Sequence, residues 1–187
     1  MSTFKIYKPS ELPDIYKYQI LAFQRIIWTE GFVGKNQNRN WITHSKDHPI
    51  HFIAVNGRKV IAHVEVVWRL LHHCNKTYKT YGLTGVLTFH DFRRQGFGRK
   101  LVEKATKYIL RSDAELALFN CTDENVTFYR KGGWKPLENA PITQIGERNN
   151  PINTESTNLM IKFLSKKARR NRQDFLNFPI YFDDSTW

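Results

Sequence analysis

The chain has 187 residues, of which 41% are hydrophobic and 14% aromatic, enough for one domain spanning residues 1–187 with a full apolar core. Lysine and arginine outnumber aspartate and glutamate by 29 to 17, and the net charge of +12 suits a polyanionic partner. The sequence has no apolar run of membrane-spanning length and no leader, so we expect a cytoplasmic protein without a membrane partner. Cys74 and Cys121 lack metal-ligand spacing, and no metal is expected.

The first predicted elements are a short strand and an amphipathic helix. Alternation over Phe4–Tyr7 predicts the strand. Ser10 is the expected N-cap of the helix, and Pro13 would lie in its first turn. Apolar residues then recur at helical spacing, at Tyr16, Ile20, Phe23 and Ile27. The glycine- and asparagine-rich segment 31–40 is typical of a loop that lines a site.

An antiparallel meander of three strands is predicted next. Ile50–Val55 reads as a strand, Asn56 and Gly57 as a two-residue type I′ turn, and Lys59–Leu71 as the long partner strand. A second reversal near Asn75 leads into a third strand over residues 78–89.

Two glycines lie where this third strand gives way to a helix. Gly96 and Gly98 precede a helical stripe formed by Leu101, Ala105, Tyr108 and Ile109, with an expected ion pair between Glu103 and Lys107. Glycines permit close backbone approach, and the free N–H groups of a helix N-terminus favour phosphate or pyrophosphate. The alternative is that both glycines only shape a turn.

This segment resembles motif A of the GCN5-related N-acetyltransferases (GNAT), Gln/Arg-x-x-Gly-x-Gly/Ala, filled here by Arg93, Gly96 and Gly98. A second block, from Thr122 through Phe128-Tyr129 to Trp134, is similar to the family's motif B, with Thr122 replacing an asparagine. The resemblance implies an α/β (α+β) GNAT fold, with a mixed, mostly antiparallel central sheet flanked by helices. It also implies acetyl-CoA as cosubstrate.

The same resemblance assigns roles to residues. Val86, Leu87 and Thr88 would hold the pantetheine arm and the oxyanion, and the pyrophosphate would be bound by Arg93, Arg94, Gln95, Gly96, Phe97, Gly98 and Arg99. Tyr129 would be the general acid for the leaving thiolate, although packing beside Phe128 is an alternative role. The general base stays open between Glu65, His63, His90 and water; residues 63 and 65 share one strand face.

Residues 50–187 are also similar to the aminoglycoside 2′-N-acetyltransferases, which implies an acceptor site formed by Thr84, Gly85, Thr122, Glu155, Asp184 and Trp187. Thr84 stands where that family has a glutamate, and the charge of +12 repels polycations, which weighs against such a substrate. Asp183, Asp184 and Glu155 would compensate if the C-terminal tail folds back over the acceptor side.

The sequence therefore predicts an acetyl-CoA-dependent N-acetyltransferase acting on a primary amine of a small molecule, with an aminoglycoside-like aminosugar as one candidate. The alternatives are a peptide or protein amine as acceptor, or a catalytically degenerate GNAT protein that binds CoA or nucleic acid. The basic run 166–172 reads as a solvated helix face, so nucleic acid is the disfavoured partner. A homodimer is left open.

Overall fold

The structure, a computed structural model, describes residues 2–41, 43–140, 143–145, 152–153 and 158–182. The strands are β1 (Ser2–Tyr7), β2 (Ile50–Asn56), β3 (Lys59–His73), β4 (Lys76–Thr88), β5 (Leu116–Cys121), β6 (Gln144–Ile145), β7 (Ile152–Asn153), β8 (Asn158–Phe163) and β9 (Tyr181–Phe182). The helices are α1 (Asp14–Ile27), α2 (Phe97–Leu110), α3 (Asp123–Lys131), α4 (Lys166–Arg170) and α5 (Asp174–Asn177). None of the described helices is long and apolar enough to cross a membrane.

Six strands form one mixed sheet in the order β1-β2-β3-β4-β5-β8. The pairs β1–β2, β2–β3 and β5–β8 are antiparallel, whereas β4 and β5 run parallel because helix α2 carries the chain between them. A second sheet has the order β7-β6-β9. The predicted α/β fold with a mostly antiparallel sheet is confirmed.

The chain divides into two compact units. The first comprises Met1–Val67 and Thr84–Ala105, and the second comprises Trp68–Leu83 and Thr106–Trp187. In the first unit, α1 packs on the sheet through a core of Leu12, Tyr16, Ile20, Ile53, Val55 and Val60. The core of the second unit is formed by Leu71, Tyr78, Leu116, Leu118, Leu137, Leu159, Ile161, Ala168, Phe175, Ile180 and Phe182.

The N-terminal part of α1 differs from the prediction. Ser10 lies inside a short 3-10 turn, Pro9–Glu11, and α1 begins only at Asp14, with Pro13 at the cap position. The buried face of the helix contains Tyr16, Ile20 and Gln24. Ile27, the last residue of the predicted apolar stripe, is 39% exposed, whereas the polar side chain of Gln24 is buried.

The first hairpin turn is shifted relative to expectation, and the second lies near Asn75 as predicted. Asn56 pairs with Lys59, which makes Gly57 and Arg58 the turn residues of the β2–β3 hairpin. Only Gly57 of these two has a positive φ, of 58°, so this turn is not type I′. Cys74 and Asn75 have φ values of 46° and 58°. They are the two left-handed residues of a type I′ turn between β3 and β4.

Helix α2 buries a slightly different face from the predicted one. Leu101, Ala105 and Ile109 are buried as expected, whereas Tyr108 is 37% exposed. The charged partner of Glu103 is Arg99, whose Nε lies 3.4 Å from Glu103 Oε1, and not Lys107 as predicted. An i,i+4 pair at the start of α2 therefore replaces the pair expected in its middle.

Candidate active site

The loop between β4 and α2 has the backbone geometry of an anion cradle. Arg94 and Gly96 are both left-handed, with φ of 62° and 82°, and α2 begins at the next residue, Phe97. No described residue accepts a hydrogen bond from the backbone N–H groups of residues 94–99, and Lys100 is the first to donate within the helix, to Gly96 O. Alternating conformations of this kind point successive N–H groups to one side, where the helix dipole adds positive potential.

Side chains hold this loop in shape. Arg93 Nε donates to Thr88 O at 3.1 Å, and Gln95 Nε2 donates to Asp91 O at 2.9 Å. Arg94 and Arg99 are exposed beside the free N–H groups, and Gly98 is buried in the first turn of α2. The donors and charges here fit the pyrophosphate of CoA, so the residues predicted for this group are compatible with it.

The strand leading into the loop contains the predicted pantetheine and acceptor residues. Gly85 and Leu87 are buried, whereas Thr84, Val86 and Thr88 on the alternate positions are partly exposed. Gly85 has a φ of 56°, a conformation that costs other residues about 1–2 kcal/mol. A side-chain carbon at position 85 would come within 3.3 Å of His63 Cε1 and 3.5 Å of Glu65 Cδ. The backbone therefore favours glycine there, and an added carbon would press on His63.

A buried polar cluster lies beside Gly85 in the same unit. Glu65, fully buried on β3, accepts a hydrogen bond at Oε1 from Trp41 Nε1 at 2.6 Å and another at Oε2 from the Thr43 hydroxyl. His51 Nδ1 lies 3.5 Å and His63 Nε2 3.6 Å from Glu65 Oε1. The predicted proximity of His63 and Glu65 is thus present, with three further polar groups around it.

The hydrogen bonds fix the protons of this cluster. His63 Nδ1 is 2.9 Å from Gly85 O, a carbonyl that only accepts, so His63 donates from Nδ1 and its Nε2 carries a lone pair. His51 Nδ1, 3.2 Å from His63 Nε2, is then the donor of the second bond. Neutral His63, protonated at Nδ1, and ionised Glu65 satisfy this pattern.

Burial and neighbouring charges support those protonation states. Burial lowers the pKa of His63 to about 4, an effect that Glu65 opposes and His51 reinforces. Burial alone would raise the pKa of Glu65, but the neighbouring His51, then His63, and the Thr43 hydroxyl lower it below its ordinary value. Neutral His63 and ionised Glu65 are therefore the forms expected near neutral pH.

Sequence reasoning did not identify His51, Trp41 or Thr43. His51 lies directly opposite Glu65 in the β2–β3 ladder, and a register shift between Ala54 and Val55 places it there. Only the strand pairing could have signalled His51. Trp41 and Thr43 reach Glu65 from the connection between α1 and β2, which has no periodic pattern.

Tyr129 and Thr122 belong to the second unit, whereas Glu65 and the motif A loop belong to the first. Tyr129 is buried edge-on against Phe119 and Phe128, with ring centroids 4.6 and 5.0 Å away. Burial, and secondarily Cys121, raise the pKa of the Tyr129 hydroxyl, which keeps its proton at neutral pH. No described residue hydrogen-bonds that hydroxyl.

The remaining residues that the sequence predicted for the site are Thr122, His90, Glu155, Asp183, Asp184 and Trp187. Thr122 precedes α3, and its hydroxyl accepts a hydrogen bond from Asn125 Nδ2 at 2.9 Å. The His90 side chain is 84% exposed, and its Nδ1 lies 3.6 Å from Asp91 Oδ1. Glu155, Asp183, Asp184 and Trp187 lie outside the described residues.

The comparisons with known proteins establish the family. Residues 12–134 match the model of the Acetyltransferase (GNAT) family. The chain therefore belongs to the GNAT acetyltransferase family, whose members use acetyl-CoA. The narrower aminoglycoside 2′-N-acetyltransferase subgroup finds no support in these comparisons.

Solved structures share the fold at low identity. Escherichia coli ElaA is 13% identical, with a TM-score of 0.60 over 87% of this chain and 99% of that one. Arabidopsis thaliana NAA60, in complex with a bisubstrate analogue, is 12% identical, with a TM-score of 0.57 over 87% and 98% of the two chains. Glucosamine-6-phosphate N-acetyltransferase from Arabidopsis thaliana is 22% identical, with a TM-score of 0.53 over 73% and 94%.

Proposed function

We propose that the protein transfers an acetyl group from acetyl-CoA to a primary amine of a small molecule. The observation that carries this proposal is the loop 93–99, which contains two left-handed residues and leads into a helix N-terminus, and where no described residue accepts from the N–H groups of residues 94–99. Membership of the GNAT family, whose members use acetyl-CoA, supports that cosubstrate as the ligand of this cradle. Bound acetyl-CoA would supply the acetyl group as a thioester, with its pyrophosphate on these amides.

We assign the strand residues 86–88 to the pantetheine arm. Val86 and Thr88 are partly exposed, so this part of β4 is accessible, whereas Leu87 packs inward. The Val86 N–H is the expected donor to the oxygen of the acetyl group. A donor fixed in a strand costs no reorganisation when charge develops on that oxygen.

The amine must lose a proton before or during its attack. We assign proton acceptance to Glu65 and His63, acting through water because both side chains are fully buried. Trp41 and Thr43 fix the carboxylate in place, and Gly85 O fixes the tautomer of His63. His90 is the weaker candidate, because its side chain is 84% exposed and its ion-pair contact is with the similarly exposed Asp91.

Tyr129 is the proposed acid that returns a proton to the departing thiolate. Its raised pKa keeps the hydroxyl protonated at working pH, and the hydroxyl is not committed to another described residue. Its ring is held by Phe119 and Phe128, which limits its motion.

An aminosugar is the acceptor we favour among small amines. One structural neighbour is a glucosamine-6-phosphate N-acetyltransferase, and a phosphorylated amine also suits a net charge of +12. The acidic tail residues Asp183 and Asp184 remain candidates for contacting the ammonium group. Deleting residues 183–187 should then raise KM for the amine more than KM for acetyl-CoA.

A thiol-release assay with acetyl-CoA tests the reaction, using aminosugars, aminoglycosides and N-terminal peptides as acceptors. Calorimetry tests the cradle: Gly98→Asp places a side chain and a negative charge beside the amides and should abolish CoA binding. Asn38→Asp, which adds the same charge on an exposed loop of the same unit, should bind CoA normally. Normal binding by Gly98→Asp would refute the cradle, and CoA binding without any acetyl transfer would indicate a degenerate family member.

A further inference from the structure

Three potential metal-binding atoms meet inside the first unit. His51 Nδ1, His63 Nε2 and Glu65 Oε1 are separated by 3.2, 3.5 and 3.6 Å, and all three side chains are buried. Ligand atoms about 2.0–2.2 Å from a tetrahedral ion lie roughly 3.3–3.6 Å apart. The triangle formed by these atoms therefore has the dimensions of one face of a tetrahedral coordination sphere.

We propose that His51, His63 and Glu65 bind a divalent transition-metal ion, with Zn²⁺ as the ion that this ligand set fits. Two imidazole nitrogens and one carboxylate oxygen are a known zinc donor set, in which water takes the fourth position. The hard cations Ca²⁺ and Mg²⁺ prefer six or more oxygen ligands, which this cluster lacks. Sequence spacing alone did not predict the site, because His51 comes from a different strand.

Charge also favours a cation at this position. Among the described residues, the only ion-pair contacts of Glu65 are His51 and His63, and no lysine or arginine reaches its carboxylate. A buried carboxylate without a full positive partner is costly. A divalent ion bound by all three groups would give the Glu65 carboxylate a full positive partner.

The surroundings of the three side chains resemble the outer contacts of a metal site. His63 donates its other ring N–H to Gly85 O, as metal-bound histidines commonly do to a carbonyl. Trp41 and Thr43 orient the carboxylate of Glu65. Coordination by His51 Nδ1 requires its proton to move to Nε2 of the same ring, so the imidazole stays neutral and binding needs no redox change.

An ion at these atoms would have a consequence for the proposed reaction. It would occupy the lone pairs of His63 and Glu65 that we assign to proton acceptance, and the metal-bound protein should then transfer acetyl groups slowly. This consequence rests on the proposed function. The proposal that the ion binds does not rest on the proposed function.

The test uses the full chain after dialysis against EDTA, titrated with Co²⁺ as a spectroscopic probe and then with Zn²⁺ by calorimetry. We expect one ion per chain and the intense visible absorption of tetrahedral Co²⁺. His51→Gln and Glu65→Gln should each lose this absorption and weaken Zn²⁺ binding by more than about 100-fold, the upper range for loss of an outer contact. His72→Gln, which changes an exposed histidine bonded to Thr77, should bind Zn²⁺ like the unaltered protein.

X-ray absorption spectroscopy of the unaltered Zn²⁺-loaded protein makes the test independent of whether the variants fold. It should show two imidazoles and oxygen ligands at about 2.0–2.2 Å. Absence of stoichiometric binding, a coordination shell without imidazole, or unchanged binding in both ligand variants would overturn the proposal. Metal binding together with no acetyl transfer by the metal-free protein would refute only the proposed function, and acetyl transfer without metal binding would refute only this site.

Discussion

The imidazole of His63 donates a hydrogen bond from Nδ1 to the carbonyl oxygen of Gly85, 2.9 Å away, and Gly85 lies in the left-handed region with a φ of 56°. This contact joins the buried cluster on β3 to the strand that leads into the anion cradle. Because a peptide unit is planar, fixing the Gly85 carbonyl also fixes the direction of the Val86 N–H, the proposed oxyanion donor. One hydrogen bond thus connects the proposed proton acceptors with the proposed acetyl site.

Replacing Gly85 with alanine should destabilise the protein more than the same change at Gly57. Both glycines have positive φ, of 56° and 58°, so each substitution incurs a backbone cost of about 1–2 kcal/mol. Only position 85 crowds a neighbour, His63, whereas nothing lies within 4 Å of a carbon added at position 57. We expect Gly85→Ala to lose at least about 1 kcal/mol more in urea unfolding. Equal losses of stability in the two variants would mean that the buried cluster accommodates the added carbon at no energetic cost.

Removing the Thr43 hydroxyl should leave a buried carboxylate oxygen without its donor. Thr43→Val keeps the shape of the side chain, and we expect a loss of about 1.5–3 kcal/mol in the free energy of unfolding. It should also weaken Zn²⁺ binding by about 10-fold if the cluster binds the ion. Thr77→Val is the matched control, since its hydroxyl bonds the exposed His72. A comparable loss of stability in both variants would contradict a particular contribution of the Thr43 hydroxyl.

The metal-free protein should lose stability on acidification. Burial lowers the folded-state pKa of His63 from 6.5 to about 4, so below pH 6.5 the unfolded chain binds a proton that the folded chain excludes. The lowered pKa of Glu65 acts in the same direction, because its stabilisation is also lost as pH falls.

Urea unfolding in EDTA at several pH values checks this dependence. Stability should decline between about pH 6.5 and 4, by on the order of 3 kcal/mol from His63 alone. His63→Gln should show a shallower decline, and His72→Gln should keep the original one. A slope that is unchanged in His63→Gln would assign the acid sensitivity to other groups.

Tyr129→Phe should lower kcat by about 100-fold or more while leaving the affinity for CoA near normal, as expected for a lost general acid. The aromatic contacts with Phe119 and Phe128 survive the substitution, so the fold should be retained. Tyr18→Phe, on the exposed side of α1, controls for loss of a hydroxyl. If Tyr129→Phe keeps most of its turnover, Tyr129 serves packing alone.

Local patterns were sufficient to predict most elements of this fold. Alternation and turn residues located β2, β3 and β4, and the glycine pair located the start of α2 within two residues. The buried face of α1 was predicted incorrectly, because it contains Gln24. A pattern of apolar residues cannot identify a polar side chain that is buried in the fold. The start of the same helix was misplaced, because Ser10 and Pro13 each supply a plausible cap and only packing decides between them.

The buried cluster was predictable only in part. Period-two spacing placed His63 and Glu65 on one strand face, as the structure has them. His51 depends on a β-bulge: Val55 pairs with Val60, but Ala54 pairs with Ala62, which moves His51 from opposite Val64 to opposite Glu65. A one-residue bulge changes which residues of the partner strand share a face with a given side chain, and the local sequence does not indicate where the bulge lies.

The most direct measurement is mass spectrometry of an aminosugar, such as glucosamine, after incubation of the full chain with isotopically labelled acetyl-CoA. We predict a singly acetylated, labelled amine that forms at a rate proportional to protein concentration and is absent with Gly98→Asp. Labelled product from Asn38→Asp at the unaltered rate would exclude a general effect of added charge. No labelled product from any amine in the panel, with CoA binding lost or retained, would contradict the assignment of this protein as an N-acetyltransferase.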